Sequence, residues 1–256
     1  MKRTVLTLSL YLMLSSSASA RGSSGASLEA YTEFQPSMVV ALHHSRQSLL
    51  RPGEMSFTPK LWFGSARSVS GAIQGGAGFA YEGPINDSWG FGLAIGTYDG
   101  TGVATGVAGS VRRRAAPTKR LNVSLQGVLG YVWNNEPGGT SYLVPDRFGD
   151  LREEFLVDDA SWATAYVHAI ADYELGPLRP VAELGFLLSR ASVGGSERTG
   201  PGFDEFDAHV VNETTIARVA GGAGLALDLG RIDAYLGGGG YDGGAVLTMS
   251  VTLTIN

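Results

Sequence analysis

The sequence predicts an all-β fold: a single up-and-down antiparallel transmembrane β-barrel of about ten strands, with about eight or twelve as alternatives. Three observations carry this expectation. Segment after segment alternates with period two, as a strand with two unlike faces must. One parity holds large apolar residues and, in the clearest segments, no charge; the other holds glycine, alanine and neutral polar residues. The connections fall into two sets, one short and the other including two long acidic stretches, which matches the two ends of a membrane barrel.

Residues 87–99 show the pattern best. Trp89, Phe91, Leu93, Ile95 and Thr97 lie on one parity, and Gly90, Gly92, Ala94, Gly96 and Tyr98 on the other. A soluble strand would fill its wet face with charged residues. Glycine weakens a strand by roughly 0.5–1 kcal/mol relative to alanine, so its repeated use implies limited room inside a narrow barrel. Lysine or arginine on the lipid face would cost about 2–4 kcal/mol at mid-bilayer. A secreted soluble β-barrel, its large apolar face forming the core, is the main alternative.

In chain order, residues 1–20 read as a signal peptide. Lys2 and Arg3 precede an apolar run to Leu14, and Ala18-Ser19-Ala20 supplies small residues for cleavage. That run falls short of the roughly 20 residues a spanning helix needs. Residues 21–54 form an N-terminal segment in which Leu28 to Phe34 and Met38 to Leu42, split by Pro36, could make an extra hairpin, a periplasmic extension or a plug. Residues 55–256 carry the barrel. Its expected strands are 55–65, 71–82, 87–99, 102–113, 119–134, 160–175, 178–190, 214–228, 231–241 and 245–256. Most are long enough for the roughly 9–11 residues of a tilted crossing. In 160–175 both parities are apolar, Trp162, Tyr166, His168 and Ile170 against Ala163, Ala165, Val167 and Ala169, so the lipid face is left open there. Residues 134–159 and 190–213 read as long outer loops carrying Glu153, Glu154, Asp158, Asp159, Asp204, Glu205 and Asp207. The densest basic cluster, Arg112 to Arg114 with Lys119 and Arg120, lies at the opposite end. Tyr81, Trp89, Tyr131 and Trp133 sit near strand ends, as an interfacial girdle would.

The chain has no cysteine and a formal charge of −5, which argues against a nucleic-acid partner. A mean hydropathy of +0.06 suits a barrel in which half of each strand faces away from lipid. The four histidines are too scattered for a zinc site, and the glycine-rich runs lie inside strands with no helix behind them, so they are not phosphate loops. No cofactor and no metal site is expected.

An export signal, alternating strands and a final strand running to Asn256 together resemble bacterial outer-membrane β-barrel proteins. The chain departs from them by closing Leu253-Thr254-Ile255-Asn256, where an aromatic residue usually stands. The resemblance implies outer-membrane location after export, with outer-membrane lipid and the outer-membrane assembly machinery as partners. Asp207-Ala208-His209 is similar to the Asp-x-His pair of the omptin family of outer-membrane proteases, which makes Asp207 and His209 the candidate catalytic residues. The Asp pair that family places across the rim is not matched, since only Asp99 lies in the corresponding loop. His43-His44-Ser45 lies outside the ten strands and is a fainter pointer to a lipid-modifying enzyme. The leading expectation is a non-enzymatic barrel, either a narrow passive pore for small polar or cationic solutes or a small-solute binding or structural barrel. An outer-membrane hydrolase is the alternative.

Overall fold

The computed structural model describes residues 39–40, 54–66, 74–99, 103–115, 118–136, 141–145, 151–199, 208–241 and 244–255. Eleven strands form one sheet: β1 (Met55–Ala66), β2 (Gln74–Pro84), β3 (Trp89–Asp99), β4 (Val103–Ala115), β5 (Leu121–Glu136), β6 (Ser141–Pro145), β7 (Leu151–Tyr173), β8 (Leu178–Thr199), β9 (Ala208–Asp228), β10 (Ile232–Tyr241) and β11 (Gly244–Ile255). Every barrel strand pairs antiparallel with its neighbours; β1 pairs with β11, and β5 with β7, so ten strands close into a barrel. The short β6 stands outside that ring and pairs only with the start of β7. Closure matters because a barrel in lipid has no free edge to satisfy with water.

The ten expected strands are all present. The 134–159 and 190–213 stretches, expected as loops, are largely strand instead. β7 runs 23 residues, β8 22 and β9 21, against 10 to 16 for the other barrel strands. Glu153 to Val157 pairs with Gly195 to Thr199, and Gly194 to Glu197 pairs with Ala208 to Val211, so these stretches are hairpins projecting past the rest of the wall. They were illegible as strands because charge falls on both parities there, Arg152, Glu154 and Asp158 on one and Glu153 and Asp159 on the other. We refer to this as the hairpin end, and to the opposite rim, where Met55 and Ile255 pair, as the terminal end.

Side-chain direction follows the sequence parity. Phe79, Leu93, Ile95, Leu129, Leu184 and Val219 point outward, each half or more exposed. Their neighbours Ala80, Ala94, Val128, Glu183 and Ala220 point inward and are buried. The soluble alternative places the large apolar face in the core, and it is outside. In β7 the open choice resolves in the unusual direction. Trp162, Tyr166, His168 and Ile170 are the inward set, and Val167 is 52 % exposed on the outside. Register fixes this, since Tyr166 pairs with inward Val128 and Trp162 with inward Val132.

On β8 the outward face is apolar from Leu178 to Leu188 and ends at Arg190, which pairs with Glu213 of β9 at 2.7 Å. At the terminal end, outward Arg113 lies over the Trp89 ring, 5.7 Å from its centroid. Charge therefore brackets an apolar band of about the 9–11 residues that a tilted strand spends in hydrocarbon. Aromatic pairs stand toward both margins: Tyr81 with Phe91 near the terminal end and Tyr131 with Trp133 toward the hairpin end, each at 5.9 Å.

Candidate functional site

The lumen is filled by side chains, in two layers. Nearest the terminal end the layer is polar. Lys60, Glu82, Ser110, Arg112, Gln126, His168, Glu183 and Asp233 all point inward and are buried. Arg112 Nη1 donates to Glu82 Oε2 at 3.1 Å. Lys60 lies within electrostatic reach of Glu82 and Glu183. His168 Nδ1 is 3.3 Å from Glu183 Oε2, and the imidazole stacks on the Tyr166 ring at 4.1 Å between centroids. Gln126 Nε2 donates to Ser110 Oγ at 2.9 Å. At the rim, Arg114 donates to Asn122, which donates to Asp172, and Arg179 pairs with Asp228. Buried charges are tolerable only when paired in this way, since each loses several kcal/mol of solvation.

The bare face of β3 explains how the central pair forms. Glu82 is on β2 and Arg112 on β4, with β3 between them; Glu82 sits opposite Gly92, and Arg112 opposite Gly90. A Cβ at Gly92 would stand 2.6 Å from Ser110 Oγ and 3.3 Å from Glu82 Cγ. One at Gly90 would stand 3.3 Å from Arg112 Nη2. The glycines are the floor over which an ion pair crosses a strand. Sequence reasoning read them as lumenal space, because strand neighbours two apart cannot be seen without the register.

Toward the hairpin end the layer is apolar. Trp62, Val128, Val132, Trp162, Tyr166 and Leu187 are at most 2 % exposed and belong to one cluster. Here too glycine accommodates a neighbour. The Trp62 ring lies over Gly76 and Gly78, where an added Cβ at Gly76 would stand 2.3 Å from Trp62 Nε1 and 2.6 Å from the Thr97 carbonyl oxygen. A hydroxyl pair, Thr164 with Ser189 at 2.9 Å, joins β7 to β8 here.

The sequence-derived catalytic pair is not assembled in the described part of the molecule. Asp207 lies outside the described residues. His209 is placed by its backbone near the start of β9, opposite Ser196 of β8, on the projecting hairpin. His43, His44 and Ser45 also lie outside the described residues, as do residues 1–38. Among the described residues, no group of three or more histidines and acids is arranged to hold a metal ion.

No family model and no curated protein matches the chain. Solved structures do. The translocator domain of the autotransporter NalP from Neisseria meningitidis aligns over 89 % of this chain and 96 % of its own, at 9 % identity and a TM-score of 0.47. The KdgM porin, in complex with disordered oligogalacturonate, aligns over 78 % of this chain and 99 % of its own, at 6 % identity and a TM-score of 0.41. The outer-membrane protease OmpT from Escherichia coli aligns over 79 % and 94 %, at 7 % identity and a TM-score of 0.40. The assignment of this chain as a barrel rests on its own strand closure.

Proposed function

We propose that this chain is an integral outer-membrane β-barrel whose interior is closed and whose contacts with the outside are made by the projecting β7–β8–β9 hairpins. The supporting observation is the inversion of burial. An uncharged face that includes Phe79, Leu93, Ile95, Leu129, Leu184 and Val219 points out, while lumenal side chains, charged ones included, are buried against one another. A contiguous apolar exterior of this extent is out of place on a soluble monomer and suits lipid.

Of the roles the sequence leaves open, this favours a structural or binding barrel over a passive pore. A barrel of about eight strands is just filled by side chains, and here larger residues fill about ten strands. Large side chains of β1, β7 and β8 turn into the lumen, and Trp62 lies over Gly76 and Gly78 of the neighbouring strand. Lys60 and Arg112 are interleaved with Glu82, Glu183 and Asp233 in that layer, so its charges engage one another rather than lining an open path with one sign.

The test is conductance. Protein refolded in detergent, and shown folded by its mobility shift on heating in SDS, is added to planar bilayers. The expected record has no sustained openings. Discrete, cation-favouring steps would overturn the closed barrel and restore the narrow pore. Recovery in a soluble periplasmic fraction, with no heat-dependent mobility shift, would overturn the membrane assignment itself.

A further inference from the structure

Val39 and Val40 are described as a helical pair and are fully buried, 0 % exposed each. Their surroundings place them inside the barrel. Both belong to the cluster formed by lumenal Trp62, Ala108, Val128, Trp162 and Leu187. A Cβ built on inward-facing Gly130 would stand 2.7 and 2.9 Å from the two γ-carbons of Val39 and 3.4 Å from the Ala108 Cβ. Any side chain at position 130 would therefore contest the space Val39 occupies.

We infer that the apolar stretch of the N-terminal segment centred on Val39–Val40 is a built-in plug, seated in the hairpin-side half of the lumen. Three features of the wall fit this occupant. The row of inward residues in register with Gly130 is small: Ala80 of β2 pairs with Ala94, Ala94 with Ala108, and Ala108 with Gly130. Next along the wall, β7 and β8 turn large residues inward, Trp162, Tyr166 and Leu187, so Val39 is packed between a small-residue row and an aromatic one. Interiors fill to near-crystalline density, and Val39 with Val40 supply side chains to this side. The chemistry matches as well. Val39 and Val40 join the apolar cluster of the lumen rather than the layer of Lys60, Glu82 and Arg112. Reach presents no obstacle, since the 13 residues between Val40 and Glu54 can extend up to about 3.3–3.6 Å each.

This inference adds an occupant to the closed barrel proposed above, and its test needs neither a bilayer nor a membrane fraction. The natural chain has no cysteine, so an introduced pair reports alone. In the full-length folded protein, the double variant Val39→Cys with Gly130→Cys is oxidised and its disulfide scored by mobility under non-reducing conditions. Disulfide Cβ atoms lie about 3.5–4.5 Å apart, a distance this neighbourhood supplies. Val39→Cys with Ala108→Cys is the second pair, should the first fail to fold as judged by heat modifiability. The control pairs Val39→Cys with Gly127→Cys, because Gly127 is on the same strand but faces outward, where an added Cβ meets nothing. The expected result is cross-linking of an inward pair, none of the control, and at least tenfold slower labelling of the lone Val39→Cys by a bulky maleimide in the folded protein than after unfolding. A folded barrel in which neither inward pair cross-links and Val39→Cys labels as fast as in the unfolded chain would overturn the plug.

Discussion

Near the terminal end, the lumen is held by Lys60, Glu82, Arg112, His168 and Glu183. Toward the hairpin end it is held by Trp62, Val132, Trp162 and Leu187, with Val39 and Val40 against them. The two layers close the same barrel with opposite chemistry, and they should fail differently. In the polar layer the groups hold one another, so the cost of a change depends on what it leaves unpaired. In the apolar layer it depends on the volume removed.

The sharpest test of that contrast is Arg112→Met. Alone it leaves Glu82 buried without its partner and should lower stability by about 3–5 kcal/mol, read from urea unfolding in detergent. Adding Glu82→Leu should recover most of the loss, because two apolar groups replace a matched pair. If the double variant is as unstable as the sum of the singles, the layer is not held by that pair. Leu187→Ala, in the apolar layer, should cost about 2–5 kcal/mol, with no neighbouring substitution of a charge able to restore it.

A smaller effect separates the two kinds of glycine. Gly76→Ala places a methyl against the Trp62 ring and the Thr97 carbonyl and should cost about 1–3 kcal/mol, as overpacking does. Gly127→Ala, on the outward face with open space around it, should be neutral or stabilise by up to about 1 kcal/mol. Equal effects at the two positions would mean that the inward glycines are not there to seat a neighbour.

That difference shows where the sequence was readable. Period-two alternation revealed the ten strands and, in most of them, which parity faces out, because lipid tolerates no charge on β3's Phe91, Leu93 and Ile95 or on β11's Leu247 to Ile255. It failed in β7, where tryptophan, tyrosine and isoleucine face inward and alanine faces out; only pairing with Val128 and Val132 of β5 resolves the choice. It failed again past Arg190, since a strand that has left the apolar band no longer needs unlike faces. The lumenal polar layer was half legible. Asn122, Ser124 and Gln126 stood out on β5, but the Glu82–Arg112 pair joins residues 30 apart in sequence across an intervening strand. Glycine was visible throughout. What it makes room for was not, because that depends on the side chain of the next strand.

The central claim is that this barrel turns its large apolar face to lipid and closes its lumen behind it. The four tryptophans divide between the two sides. Trp62 and Trp162 face inward, at 1 % and 0 % exposure, whereas Trp89, at 41 %, and Trp133 lie on the outward parity. Single-tryptophan variants, the other three changed to phenylalanine, can be refolded into bilayers whose acyl chains carry bromine as a contact quencher. The account predicts that Trp89 and Trp133 lose fluorescence while Trp62 and Trp162 keep theirs. Quenching of Trp62 and Trp162 with Trp89 and Trp133 spared would contradict it.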